Sequence, residues 1–142
     1  MKRVKVYYKT IKLLEALSLN TQKCPKYVLA YTVNPLKAQC ITILTFLIKA
    51  TASTDAKEKI PFLYQTLDFL NEVRFQTRVL SDLAFITKEG FGNIAYLLEE
   101  CYMQCSAWLT SLGANKDELP KPTDLYDKEE REKINMLINA SF

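Results

Sequence analysis

The sequence predicts an all-α fold, an antiparallel up-down-up-down four-helix bundle with a C-terminal extension. Three observations point there. Apolar residues recur at three- and four-residue steps through most of the 142 residues, which lays them on one face of a helix. Only three glycines are present, too few for a turn-rich β sandwich. The breaks between periodic segments are short, so consecutive helices should pack side by side. The length suits about one domain. Residues 1–113 are expected to form the bundle, and residues 114–142 a linker with a short helix or a disordered tail.

In the first segment Val4, Tyr7, Ile11, Leu14 and Leu17 share a stripe, with Lys5, Lys9 and Lys12 on a neighbouring one. It should end near Asn20–Lys23, because Pro25 lacks the donor a continuing helix needs. Tyr7 and Tyr8 are adjacent and point to different faces; one belongs to the core and the other is free to stack on a base or a partner. The second segment carries Leu36, Cys40, Ile43, Leu47 and Ala50. Asn34-Pro35 would make a good N-cap and first turn. Tyr27 to Val33 is also apolar enough to be helix, and one longer helix kinked at Pro35 is favoured.

Thr51 to Asp55 connects to the third segment, where Asp55 and Glu58 have capping-box spacing and Pro61 lies close enough to the start to be tolerated. This segment runs to about Ile86, with Leu63, Leu67, Leu70, Val73, Thr77, Leu80 and Ala84 facing inward. Thr87 caps the fourth, whose stripe is Phe91, Ile94, Leu98, Cys101, Cys105, Trp108 and Leu112, with Trp108 expected in the core. Gly113 ends it. Pro120, Pro122 and the charged run Asp127 to Lys133 read as a linker. A short helix follows, capped by Asp127 with Glu130 three residues on and carrying Ile134, Leu137 and Ile138. It should dock on its own bundle or on a neighbouring subunit.

The absence of histidine excludes more chemistry than any other count. Without an imidazole there is no Ser-His-Asp or Cys-His pair and no histidine-dependent zinc or di-iron site. Glu99 and Glu100 diverge by about 100° on a helix, so they do not form a carboxylate pair. A non-catalytic protein is expected, with no cofactor. Cys101 and Cys105 lie one turn apart, but Cys24 and Cys40 bring no partner at short spacing. Core packing is the leading reading of all four cysteines, with a metal site or disulfide the alternative. The N-terminus has no signal-peptide pattern and no run approaches the 18 or so apolar residues of a membrane span, so a cytoplasmic protein with no membrane partner is expected.

The formal charge of +3 conceals an asymmetry. Residues 1–49 hold nine lysines and arginines against Glu15 alone, a net +8, whereas residues 50–115 carry −3 and residues 116–142 carry −2. A leading third of that charge attracts polyanions locally.

Three features together resemble the accessory variability determinant proteins of diversity-generating retroelements, four-helix relatives of the proteins encoded in ribosomal RNA intervening sequences. Cys24-Pro25-Lys26-Tyr27 stands where the family has an apolar residue, Pro and a basic residue between the first two helices. Val73-Arg74-Phe75-Gln76-Thr77-Arg78-Val79-Leu80 is similar to the family's leucine–arginine run with a second arginine four residues on. Glu99-Glu100 leading to Ser106-Ala107-Trp108-Leu109 is similar to its acidic-to-small-small-Trp signature. The resemblance spans about residues 7–112. The sequence departs from it at Pro35, and at Ser106 and Ala107, where glycines are common.

The resemblance implies a non-catalytic accessory subunit that assembles as a homopentamer, binds RNA or DNA, and associates with the retroelement reverse transcriptase during mutagenic retrohoming. The alternative is a homo-oligomeric scaffold of the intervening-sequence type with no retroelement role. Phosphate contacts fall to Lys2, Arg3, Lys5, Lys9 and Lys12, with Lys23, Lys26 and Lys37, since such contacts need long cations rather than a fixed spacing. Arg74 and Arg78, one turn apart, are candidates for a nucleic-acid groove or pore. Their structural alternative is a carboxylate partner: Asp82 for Arg78, or Glu99 or Glu100 across subunits.

Overall fold

Apolar faces at helical spacing can be buried only against one another, and the chain does this with five helices. They are seen in a computed structural model that describes residues 4–140. Helix α1 is Lys5–Asn20. Helix α2 covers residues 26–52 without a break, as Lys26–Val28, a π turn Leu29–Val33 and the long stretch Asn34–Ala52. Helix α3 is Ala56–Asp82, α4 is Lys88–Ser111 and α5 is Lys128–Ala140. A 3₁₀ turn, Lys116–Glu118, lies between the last two. No strand occurs among the described residues.

Each of the first four helices packs on the next, and α4 packs back on α1, so the four enclose one core. Helix α5 rests on α4. The interior is filled by Leu13, Leu17, Leu36, Cys40, Ile43, Leu47, Leu63, Leu67, Leu70, Ile94, Leu98 and Leu109, all at 1% exposure or less. At about 25 cal/mol per Å² of apolar surface, such fully buried leucines and isoleucines are worth roughly 1.5–3 kcal/mol each.

The continuity of α2 answers the question posed by Pro35. In a regular α-helix the proline ring would strike the carbonyl four residues back, that of Tyr31, and leave it without a donor. A π turn precedes the proline, with the Asn34 N–H bonding the Leu29 carbonyl five residues back. The wider turn makes room for the ring. At the far end of α2, Lys59 donates to the carbonyls of Ala50 and Ser53 at 2.8 and 2.6 Å, tying the start of α3 to the end of α2.

Three expectations need correction. The buried stripe of α1 is Val6, Thr10, Leu13 and Leu17, so Tyr7, Ile11 and Leu14 sit at its edge. A polar residue hid the true stripe: Thr10 satisfies itself by donating to the Val6 carbonyl at 2.8 Å. Helix α3 stops at Asp82 rather than near Ile86, and Ala84 is exposed with φ 60°. The Phe85 N–H reaches back to Leu80 and the Ala84 N–H to Ser81, a Schellman ending with alanine in the left-handed position. Helix α4 closes the same way, with Gly113 at φ 97° in that place, as its sequence indicates. Trp108 is only half-buried, packed against the rim of the core beside Val4, Val6 and Gln104.

The segment after α4 lies against the bundle. Tyr102 donates its hydroxyl to the Pro120 carbonyl, Arg74 donates to the Thr123 carbonyl at 3.2 Å and Arg78 to that of Leu125 at 3.3 Å. Helix α5 starts with both halves of a capping box: the Glu130 N–H donates to Asp127 at 2.8 Å and the Asp127 N–H to Glu130 at 3.0 Å. Ile134 and Ile138 are buried on α4. Gly92 faces the Lys133 side chain of α5, whose Cε lies 3.1 Å from where a Cβ would stand.

Candidate nucleic-acid interface

Helix α1 carries Lys5, Lys9 and Lys12 within two turns, and the structure separates them. Lys5 and Lys12 are exposed. Lys9 turns to the body of the protein and meets Glu100 of α4 at 2.8 Å, where the carboxylate is almost fully buried. Lys9 therefore leaves the phosphate-contacting set: its charge neutralises an interior acid. Lys23 and Lys26 flank the Cys24-Pro25 bend and are exposed, and Lys37 is half-buried on α2. Lys2 and Arg3 lie outside the described residues. Among the described residues Lys5, Lys12, Lys23, Lys26 and Lys37 form no ion pair. For Lys23, Lys26 and Lys37 the cause is local composition, for residues 16–54 contain no Asp or Glu at all.

The two arginines of α3 are used differently. Arg74 is 2% exposed. Its Nε and Nη2 donate to one oxygen of Glu99 at 3.0 and 2.8 Å, and Nη1 donates to Asn71 at 3.3 Å. A guanidinium so enclosed cannot reach a phosphate, which removes Arg74 from the candidate contacts. The carboxylate partner named from sequence is the right one, but it comes from the same chain. Arg78 is partly exposed and bound to Asp82 at 2.9 Å and Glu130 at 2.8 Å, with its guanidinium 4.3 Å from the Phe91 ring centre. The tail completes the cluster. Tyr126 packs on Phe91 at 5.9 Å and lies beneath Arg131 at 4.7 Å. Burial, with the Glu99 charge nearby, pushes its phenol well above the ordinary range.

Where the bends between α1 and α2 and between α3 and α4 meet the start of α5, there is a cleft of about 680 Å³. Its cations Lys23, Arg78 and Lys88 face Asp82, Asp127 and Glu130, so it presents no single sign of charge. Its thiol, Cys24, donates to the Phe85 carbonyl at 3.3 Å.

All four cysteines are free and buried, in line with core packing. Burial pushes the thiols of Cys40, Cys101 and Cys105 up to about 12, which keeps them protonated and unreactive. Among the described residues no group of three or more His, Cys, Asp or Glu side chains is placed to hold a metal ion. No helix among them is long and apolar enough to cross a membrane.

The sequence reading passed over two aromatic residues, Tyr27 and Tyr31, which are 62% and 83% exposed on the opening turns of α2. It had placed its stacking candidate on α1, where Tyr8 is exposed and Tyr7 half-buried. The available signal was the run Lys23-Cys24-Pro25-Lys26-Tyr27, an aromatic beside two cations in an acid-free segment. No protein-family model matches this sequence, and no curated protein matches it.

Proposed function

We propose that this protein is a non-catalytic nucleic-acid-binding accessory subunit that joins a diversity-generating retroelement reverse transcriptase and its template RNA or cDNA. In this reading the four helices run up-down-up-down, several copies assemble, five by resemblance, and their lysine-rich faces form one cationic surface. One observation carries the reading: Lys5, Lys12, Lys23, Lys26 and Lys37 stand on α1, α2 and the bend between them without carboxylate partners among the described residues. Unpaired lysines on neighbouring helices suit a continuous line of phosphates, which supplies charge without sequence. Repetition of that face in a ring strengthens the attraction without any new contact.

The test is filter retention or fluorescence anisotropy with RNA and DNA over a salt series, alongside sedimentation. The reading requires an oligomer whose log affinity falls linearly with log salt. Replacing Lys5, Lys12, Lys23 and Lys26 by Glu should abolish retention while the fold persists. A monomer with no salt-dependent binding would overturn it.

The second reading is a homo-oligomeric scaffold of the ribosomal intervening-sequence type. It draws on Phe75 and Val79 of α3 and Leu83 just past its end, exposed at 43%, 52% and 60% and four residues apart. A row of this kind fits contact between copies, which both readings include. A reverse transcriptase encoded beside this gene, copurifying with the protein, separates the two.

A further inference from the structure

We propose that Tyr27 and Tyr31 form a stacking platform for unpaired bases, so that the ligand of the cationic face is a single strand whose phosphates lie on Lys23 and Lys26. This deepens the nucleic-acid reading and rests on it. Tyr27 stands edge-on to Phe85, with ring centres 6.4 Å apart and planes at 86°, so a neighbour steadies its ring while most of its surface meets solvent. Tyr31 lies within the π turn, a departure from regular helix that recurs at functional sites. It is the most exposed of the large hydrophobic side chains described.

The charge around the tyrosines admits a polyanion. No acid occurs on α2 or on the bend before it, and Lys23 and Lys26 are exposed without ion pairs among the described residues. The acids of the adjoining cleft are occupied: Asp82 and Glu130 bind Arg78, and Asp127 caps α5. Spacing selects the form of the ligand. Tyr27 and Tyr31 stand about one turn apart, roughly 5–6 Å along the axis of a regular helix, and the π turn that carries Tyr31 widens that turn. Bases on one strand of a duplex follow at about 3.4 Å. Two rings so placed accept bases that have already separated, as in an extended single strand, whereas a closed duplex offers no aromatic face.

The measurement is anisotropy of labelled oligothymidylate and single-stranded RNA against a duplex of equal length, with the full-length protein. Tyr31→Ala should weaken single-strand binding about 5- to 100-fold, leave duplex binding within about twofold and preserve the salt slope. Tyr31→Phe should bind as wild type, because the ring and not the hydroxyl makes the stack. Lys23→Ala with Lys26→Ala should weaken both ligands and flatten the salt slope. In Tyr31→Ala, equal losses on single strand and duplex, or none, would overturn the platform and leave salt-dependent binding intact. So would loss of binding only through dissociation of an oligomer, which makes this face a contact between copies. Wild-type protein that binds neither ligand would remove the platform and the nucleic-acid reading together.

Discussion

On α1, the bend after it and the first turn of α2, Lys5, Lys12, Lys23 and Lys26 stand in solvent with no carboxylate bound to them among the described residues, whereas on α3 both arginines are fastened to the rest of the molecule. The local supply of acids separates the two regions. Glu15 is the sole acid of residues 1–49, while residues 50–115 contain eight. Where carboxylates are plentiful, a guanidinium with five donors is drawn into a fork and sealed by the tail. Where they are missing, a lysine keeps its charge for something outside. Lys9 is the exception that locates the boundary, because it crosses from the first region to Glu100 in the second.

The contrast can be broken most severely at Arg74. Arg74→Ala strands the Glu99 carboxylate in the interior and should cost about 3–5 kcal/mol of stability in urea unfolding. Replacing both partners by Met and Leu should recover most of that loss, with nucleic-acid affinity unchanged once the protein is folded. Burial of the thiols predicts a pH effect. Cys40, Cys101 and Cys105 hold their protons to about 12 when folded, and release them near 9 when unfolded. The unfolded state therefore binds fewer protons in between. Stability is fully present below pH 9 and is lost as pH rises toward 12. Urea titrations at pH 8 and pH 10 measure it, and Cys→Ala variants should lessen the slope.

Lys9 and Lys12 offer a sharper cut, since they share a helix and a charge. Lys9→Ala should lower stability by about 2–3 kcal/mol by removing the cation that meets the buried Glu100 carboxylate. Lys12→Ala should change it by less than about 0.5 kcal/mol while weakening polyanion binding. Thermal unfolding and anisotropy on the two variants decide it, and reversed outcomes would erase the division of the molecule. A smaller effect than that of Lys9→Ala is expected at Ala84, whose left-handed backbone is strained for any residue with a Cβ. Ala84→Gly should stabilise by about 1 kcal/mol, or a few degrees in Tm.

The helical character, the caps at Asp55, Thr87 and Asp127 and the stripe Leu36–Cys40–Ile43–Leu47–Ala50 were legible because each rests on neighbours within a few residues. The α1 stripe was misread by one position because a threonine that bonds its own helix can occupy a core site. The end of α3 was missed because alanine holds a place that glycine usually marks. Among the basic residues, exposure could not be read from spacing. Lys9 and Lys12 look alike in the sequence, and only the position of Glu100, ninety-one residues beyond Lys9 in the chain, distinguishes them. For Arg74 the deciding neighbours were Glu99 and the carbonyl of Thr123, contacts made only when distant segments meet.

The crossing from α4 to α5 is anchored through its main chain, since the groups taken by Tyr102, Arg74 and Arg78 are the carbonyl oxygens of Pro120, Thr123 and Leu125. Every amino acid supplies such an oxygen. The exposed side chains of Lys121 and Thr123 are thus free to vary while the crossing keeps its course, and a comparison that scores only amino-acid identity would pass over a feature the fold retains.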